Sequence, residues 1–159
     1  MTHQKAFDAS EYKRRLFKVK NQMNEKGFDM LICQDPANMC WLTGFDGWSF
    51  YTPQAVLVHS SEEWPIWFGR EQDAKSATMT TDIPESNIVP FSEPLVHHGT
   101  LHPFDELCDY IKLRKWERTR IGVDFDAHYY TARAHKHLYT GLPNAKISDN
   151  KELVNWARL

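Results

Sequence analysis

Cysteine is scarce in this sequence. The three cysteines, Cys33, Cys40 and Cys108, are an odd number, lie in apolar surroundings and form no CxxC pair. Paired thiols are the usual basis of a disulfide framework, a zinc site or a redox motif. The pattern therefore predicts reduced, buried thiols rather than metal or redox chemistry.

Long apolar runs and an excess of charge are also missing. No apolar run approaches membrane-spanning length, and the first residues lack the apolar region of a signal peptide. The formal net charge of -2 argues against nucleic acid as the main partner. With 159 residues, 42% hydrophobic and 25% charged, the composition is that of an ordinary globular chain. We expect one cytoplasmic domain without membrane or nucleic-acid partners.

Common catalytic and nucleotide-binding motifs are absent as well. The sequence has no GxGxxG, P-loop, HExxH or GxSxG, and Ser49 lies in Gly-Trp-Ser-Phe-Tyr, without the second glycine of a nucleophile elbow. The pair His97-His98 is a possible metal ligand, but no carboxylate cluster nearby completes a site. We therefore predict no catalytic residue, no metal ligand and no cofactor in this chain.

Two aspartates after a predicted strand leave one alternative open. Asp124 and Asp126 follow Ile-Gly-Val, and ligands gather at strand ends in open α/β sheets. Asp126 also precedes a predicted helix, where capping is the commoner role of aspartate. A third hypothesis is an independent enzyme that uses Asp124, Asp126 and His128.

Hydrophobic periodicity predicts strands that alternate with helices, after an irregular lead-in over residues 1–9. The predicted helices are 10–26, 37–42, 71–79, 103–114 and 129–139, and the predicted strands are 28–33, 55–59, 63–68, 87–91, 120–124 and 145–148. The predicted core contains Tyr12, Leu16, Val19, Leu31, Val56, Leu57, Phe104, Leu107, Ile111 and Val123. This order predicts an α/β fold, and the hairpin formed by 55–59 and 63–68 makes its sheet mixed.

The connection before the second strand is rich in aromatic residues. Phe45, Trp48, Phe50 and Tyr51 occupy a short stretch after Gly44. Loops normally lie on the surface, where this much apolar area needs a cover. Either the loop folds back onto its own core, or its rings face a partner domain, a partner subunit or a ligand. We expect Trp48, Phe50 and Tyr51 to project at least partly.

Three motifs, in order, resemble the N-terminal domain of the creatinase/prolidase (pita-bread) family. They are Asp-Pro-Ala-Asn-Met-Cys-Trp-Leu-Thr-Gly at 35–44, Ile-Gly-Val-Asp at 121–124 and the ending at 152–159. Leu42 stands where the family usually has a second aromatic residue. The sequence looks closest to ectoine-hydrolase-like and creatinase-like members.

The resemblance implies a single three-layer α/β domain whose mixed sheet is flanked by helices, with a ribonuclease H-like motif. Residues 1–150 would form this domain, and 151–159 would begin the linker to a C-terminal catalytic domain that is absent here. In that family the catalytic residues lie in the absent domain, together with two divalent metals in the metal-dependent members. This chain would then be non-catalytic.

The resemblance also implies a role beside the active site of a C–N bond hydrolase, such as an Xaa-Pro dipeptidase, creatinase or ectoine hydrolase. The domain would contribute to a homodimer, and its loop would reach the partner subunit's pocket for a small amide or dipeptide. Phe50, Trp48 and Tyr51 are the expected substrate-binding residues. An arginine of creatinase falls on Thr52, which argues against creatine. The alternative is a free-standing ligand-binding or regulatory module.

Overall fold

The computed structural model describes residues 5–159, so residues 1–4 of the predicted lead-in lie outside it. In chain order the elements are α1 (Ala9–Lys26), β1 (Met30–Cys33), α2 (Pro36–Thr43), β2 (Ala55–His59), β3 (Ile66–Arg70), α3 (Glu71–Thr80), β4 (Ile88–Phe91), α4 (Pro103–Leu113), β5 (Arg120–Val123), α5 (Ala132–Gly141), β6 (Lys146–Asp149) and α6 (Leu153–Ala157). None of the helices in the described range is long and apolar enough to cross a membrane.

The six strands form one mixed sheet in the order β4-β3-β2-β1-β5-β6. Strand β2 is antiparallel to both neighbours, with Ile32 opposite Leu57 and Val56 opposite Trp67. The pairs β3–β4, β1–β5 and β5–β6 are parallel. Five strands therefore run in one direction, and β2 alone is reversed. This arrangement confirms the predicted α/β fold with a mixed sheet.

Helices cover both faces of the sheet. Because side chains alternate along a strand, Met30 and Ile32 of β1 enter one core, and Leu31 and Cys33 enter the other. The first core includes residues of α4 and α5, and the second includes residues of α1, α2, α3 and α6. Coverage on both sides explains why β1 and β2 are apolar without alternation. All ten residues of the predicted core are buried.

Local chemistry fixes the ends of the first two helices. Gly27 ends α1 and Gly44 ends α2, both in the left-handed conformation, with φ of 76° and 81°. The Asp35 side chain accepts a hydrogen bond from the Asn38 N–H at 3.0 Å, and Pro36 occupies the first helical position. These signals were readable in the sequence, and the structure confirms them.

Several predicted boundaries are wrong by a few residues. Asp8 rather than Ser10 caps α1, since its carboxylate accepts from the Glu11 N–H at 3.1 Å. Strand β1 begins at Met30 because the Phe28 N–H donates to the Met23 carbonyl at 2.8 Å and so completes the end of α1. Strand β3 begins at Ile66 because Pro65 has no N–H for the ladder.

The prediction that Asp126 caps a helix is also wrong. The Asp124 carboxylate accepts from the Asp126 N–H at 3.1 Å, and the Ala127 N–H donates to the Asp124 carbonyl at 3.2 Å. These bonds form a turn after β5 and delay the next helix. Helix α5 begins at Ala132, and the Thr131 hydroxyl caps it by accepting from the Ala134 N–H at 3.1 Å.

Candidate functional site

We define the aromatic loop as residues 45–54, between α2 and β2. Phe45, at its start, is only 2% exposed, and its ring packs edge-on against Trp67 with centroids 5.4 Å apart. Trp48, Phe50 and Tyr51 are 48%, 79% and 60% exposed. The expectation that these three rings project is therefore confirmed, whereas folding back onto the core describes Phe45 alone.

The base of the aromatic loop is held by buried polar side chains. The Ser49 N–H donates to the Gln54 side-chain oxygen at 3.0 Å, and the Thr52 N–H donates to the Ser49 hydroxyl at 3.1 Å. Thr52 and Gln54 are buried. These bonds fix the backbone beneath the rings, so that the rings project from an ordered support.

The projecting rings contact neighbouring segments. Trp48 lies 5.0 Å from Phe50 and 5.9 Å from Tyr129 between ring centroids. Tyr51 stacks on His97 at 5.4 Å, and its hydroxyl accepts from the Arg70 guanidinium at 3.2 Å. The loop thereby meets both the stretch before α4 and the stretch after β5.

A groove of about 330 Å³ lies between these three segments. Phe50, Tyr51 and Thr52 line it from the aromatic loop, and so do residues 95–98 and 101–103, which precede or begin α4. The third wall comes from His128, Tyr129, Thr131 and Arg133, just before and at the start of α5. Each segment lies at the carboxyl edge of the five parallel strands, because reversed β2 begins at that edge while β4 and β5 end there. That edge is where ligands bind in open α/β sheets.

Histidines in the groove are held by backbone bonds. His98 Nδ1 accepts from the N–H groups of Thr100 and Leu101 at 3.2 and 2.9 Å. His102 Nδ1 accepts from the Phe104 N–H at 3.0 Å and caps α4. Burial of His102, with the nearby charges of His137 and Arg133, lowers its pKa to about 4. His102 is therefore neutral at pH 7.

The histidine pair considered as a metal ligand has other roles. His97 is exposed, has φ of 56° and stacks on Tyr51, while His98 stabilises the turn that follows it. Within residues 5–159 no three His, Cys, Asp or Glu side chains cluster in a way that could hold a metal ion.

The alternative catalytic set does not assemble. Asp124 is buried, and burial raises the pKa of its carboxyl. Asp126 and His128 are exposed. Asp124 lines a small cleft with Cys33 and Asn38, whereas His128 lines the groove. Asp124 and His128 therefore line different cavities, and an independent enzyme built on these three residues stays a hypothesis that this geometry does not favour.

Among the residues that line the groove, sequence reasoning missed His102, Tyr129 and Arg133. A local signal existed for the first, because His102-Pro103 followed by Asp105 has the spacing of a reciprocal helix cap. Because histidine rarely caps a helix, this spacing did not identify His102 as the N-cap of α4. Arg133 gave no signal, because its role depends on the approach of a segment about thirty residues earlier.

Comparisons with known proteins agree with this geometry. Residues 15–159 match the family model of the Creatinase/Prolidase N-terminal domain. The chain is 40% identical over 153 residues to ectoine hydrolase of Halomonas elongata, and 41% identical over 153 residues to an uncharacterized hydrolase/peptidase, y4tM, of Sinorhizobium fredii. Each match covers 96% of this chain but only 38% and 39% of those relatives. The chain thus spans about two fifths of their length.

Solved structures share the fold. The N-terminal domain of an X-Pro dipeptidase from Streptococcus pyogenes has a TM-score of 0.71 at 15% identity, with 91% of this chain and 98% of that chain covered. With the match over residues 15–159, this similarity leads to one conclusion: the chain belongs to the creatinase/prolidase N-terminal domain family.

Proposed function

We propose that this chain is the non-catalytic N-terminal domain of a homodimeric C–N bond hydrolase, and that its aromatic loop lines the substrate pocket of the partner subunit. The observation that carries the proposal is the exposure of Trp48, Phe50 and Tyr51 on a loop with an ordered base. Exposed rings on a fixed backbone are suited to cover an apolar ligand and exclude water.

The relatives supply the reaction class. One is named a hydrolase of ectoine and two are named hydrolase/peptidase, and all extend well beyond the matched region. We propose that the protein carrying this domain also has a C-terminal catalytic domain, which residues 151–159 approach, and that this domain holds two divalent metals. The substrate is a small amide or dipeptide, and the location is cytoplasmic.

The test is turnover of the longer protein that carries this domain, with Phe50→Ala. Burying a phenylalanine side chain against a ligand is worth about 1.5–3 kcal/mol, which corresponds to a fall of roughly 10- to 150-fold in kcat/KM. Phe17→Ala is the control, because Phe17 is 66% exposed on α1 and does not line the groove. An unchanged kcat/KM for Phe50→Ala would contradict the proposed role of the loop.

Dimerisation needs a separate measurement. Sedimentation equilibrium of the longer protein should give twice the monomer mass, and a monomer that turns over substrate normally would exclude a shared pocket.

The second candidate is a free-standing module that binds a small ligand, and the groove of about 330 Å³ favours it. The two candidates differ in one observation. A reading frame that continues past Leu159 into a catalytic domain supports the accessory role, and a stop codon there supports the module.

A further inference from the structure

We propose that the groove binds the carboxylate of a small acid whose body is an apolar ring, through His98, His102 and Arg133. This inference rests on the proposed function, since it names the class of ligand that the aromatic loop would cover. Its support lies in the donors that line the groove, in the charge of that lining and in the aromatic rings beside it.

Two imidazoles present N–H donors. Because backbone N–H groups occupy Nδ1 of both His98 and His102, the proton of each neutral ring resides on Nε2. His102 is only 7% exposed, and its Nε2 has no hydrogen-bond partner anywhere in residues 5–159. An acceptor that enters the groove would give this N–H the partner that it lacks within the chain.

Arg133 supplies a charged donor from the adjacent wall, at the start of α5. One terminal nitrogen, Nη2, donates to the carbonyls of His98 and Leu101 at 2.7 and 3.0 Å. These bonds fix the guanidinium against the segment that carries both histidines. Among the described residues no carboxylate lies within ion-pair distance of Arg133. Its remaining N–H groups are thus available for a carboxylate, which arginine binds through paired bonds.

The charge of the lining favours an anion. Of the described residues, four histidines and one arginine line the groove, and no aspartate or glutamate does. The first turns of α4 and α5 also contribute to it, through Pro103 and Arg133, and helix N-termini attract negative charge. The adjacent Asp105 carboxylate is engaged elsewhere, by His137 Nδ1 at 2.7 Å and by the His102 N–H at 2.8 Å.

The aromatic side chains of the groove favour an apolar body. Phe50, Tyr51 and Tyr129 line it. Rings of this kind stack on flat or ring-shaped ligands and exclude water from a nearby ion pair. A bare inorganic anion would leave these rings without contact. The combination therefore selects an organic monocarboxylate over phosphate or chloride.

The experiment is an NMR titration of the 159-residue chain, which has its own core on both faces of the sheet. The probes are N-acetyl-L-proline and N-acetyl-L-prolinamide, which differ in the carboxylate alone. We expect saturable shifts for the acid at residues of the groove, and at least about tenfold weaker binding of the amide. Arg133→Gln should weaken binding of the acid by about tenfold or more. Arg118→Gln, an exposed arginine outside the groove, should bind like the unchanged chain.

Three results would overturn the inference. The first is equal affinity for the acid and the amide. The second is an affinity for inorganic phosphate equal to that for the acid. The third is NMR shifts that do not saturate by about 50 mM acid. Arg133→Lys separates charge from structure, because it keeps the positive charge and should retain part of the affinity. The assay uses no catalytic domain, so its outcome is independent of the turnover test. Binding without a turnover effect of Phe50→Ala would remove the proposed function and leave the carboxylate site standing.

Discussion

Phe50→Ala should leave the isolated chain almost as stable as before, whereas Phe45→Ala, five residues earlier, should destabilise it severely. Phe50 is 79% exposed, so roughly 40 Å² of the ~200 Å² of a phenylalanine is removed from water. At about 25 cal/mol per Å² this area is worth about 1 kcal/mol. The contact with Trp48, at 5.0 Å between centroids, adds about 0.5 kcal/mol.

Phe45 is in the opposite situation. It is 2% exposed and packs edge-on against Trp67. Removing a buried phenylalanine side chain costs about 3–5 kcal/mol, because it removes buried area and leaves a cavity. The two substitutions delete the same atoms from the same loop, so each is the control for the other.

Urea unfolding followed by far-UV circular dichroism measures both variants, and an unchanged m-value would show that the unfolded state is comparable. We expect losses of about 1–1.5 kcal/mol for Phe50→Ala and about 3–5 kcal/mol for Phe45→Ala. A loss above about 3 kcal/mol for Phe50→Ala would show that its ring belongs to the core. The division of the aromatic loop into a buried start and projecting rings would then be refuted.

Two further predictions concern backbone strain and pH. Gly44→Ala should cost about 1–3 kcal/mol in urea unfolding, because φ is 81° and the new Cβ would lie 2.6 Å from the Tyr12 hydroxyl; Gly99→Ala, where no atom lies within 4 Å, should be nearly neutral. The pKa of His102 is about 4 in the folded chain, below its value of about 6.5 in the unfolded chain. Between these two pH values the unfolded state binds more protons than the folded state. The free energy of unfolding therefore falls as the pH is lowered from about 6.5 toward 4. The loss between pH 6.5 and 5 is about 1.5 kcal/mol, and it should shrink in His102→Gln but persist in the exposed control His128→Gln.

Local chemistry made much of the fold predictable. Asp35 followed by Pro36, and glycines at 27 and 44, are signals that act within a few residues, so the ends of α1 and α2 were readable. Strand β2 was predicted with the observed bounds because its apolar run ends at the polar turn 60–62. The displaced start of α5 was missed because Asp124 stabilises a turn by a side-chain bond that competes with a cap at Asp126.

The sequence predicted the aromatic residues of the candidate site but not its histidine and arginine donors. The composition of the aromatic loop pointed to Trp48, Phe50 and Tyr51, since so many aromatic residues in a short connection need a partner. His102 and Arg133 could not be joined to them, because the groove forms where segments about fifty and thirty residues apart meet at one edge of the sheet. Only the strand order brings those segments together, and strand order is the property that a single sequence specifies least directly.

The sheet also explains why side chains of the groove can change with little effect on the stability of the fold. Most of each core lies between the sheet and its helices, and of the aromatic loop and the groove lining only Phe45 and Leu95 are among the buried core residues. Hydrogen bonds from Arg133 to the carbonyls of His98 and Leu101 join the start of α5 to the stretch before α4. Substitution of an exposed groove side chain therefore leaves the buried apolar area intact. Within this family fold, selection on the ligand can change the groove while the two cores maintain stability.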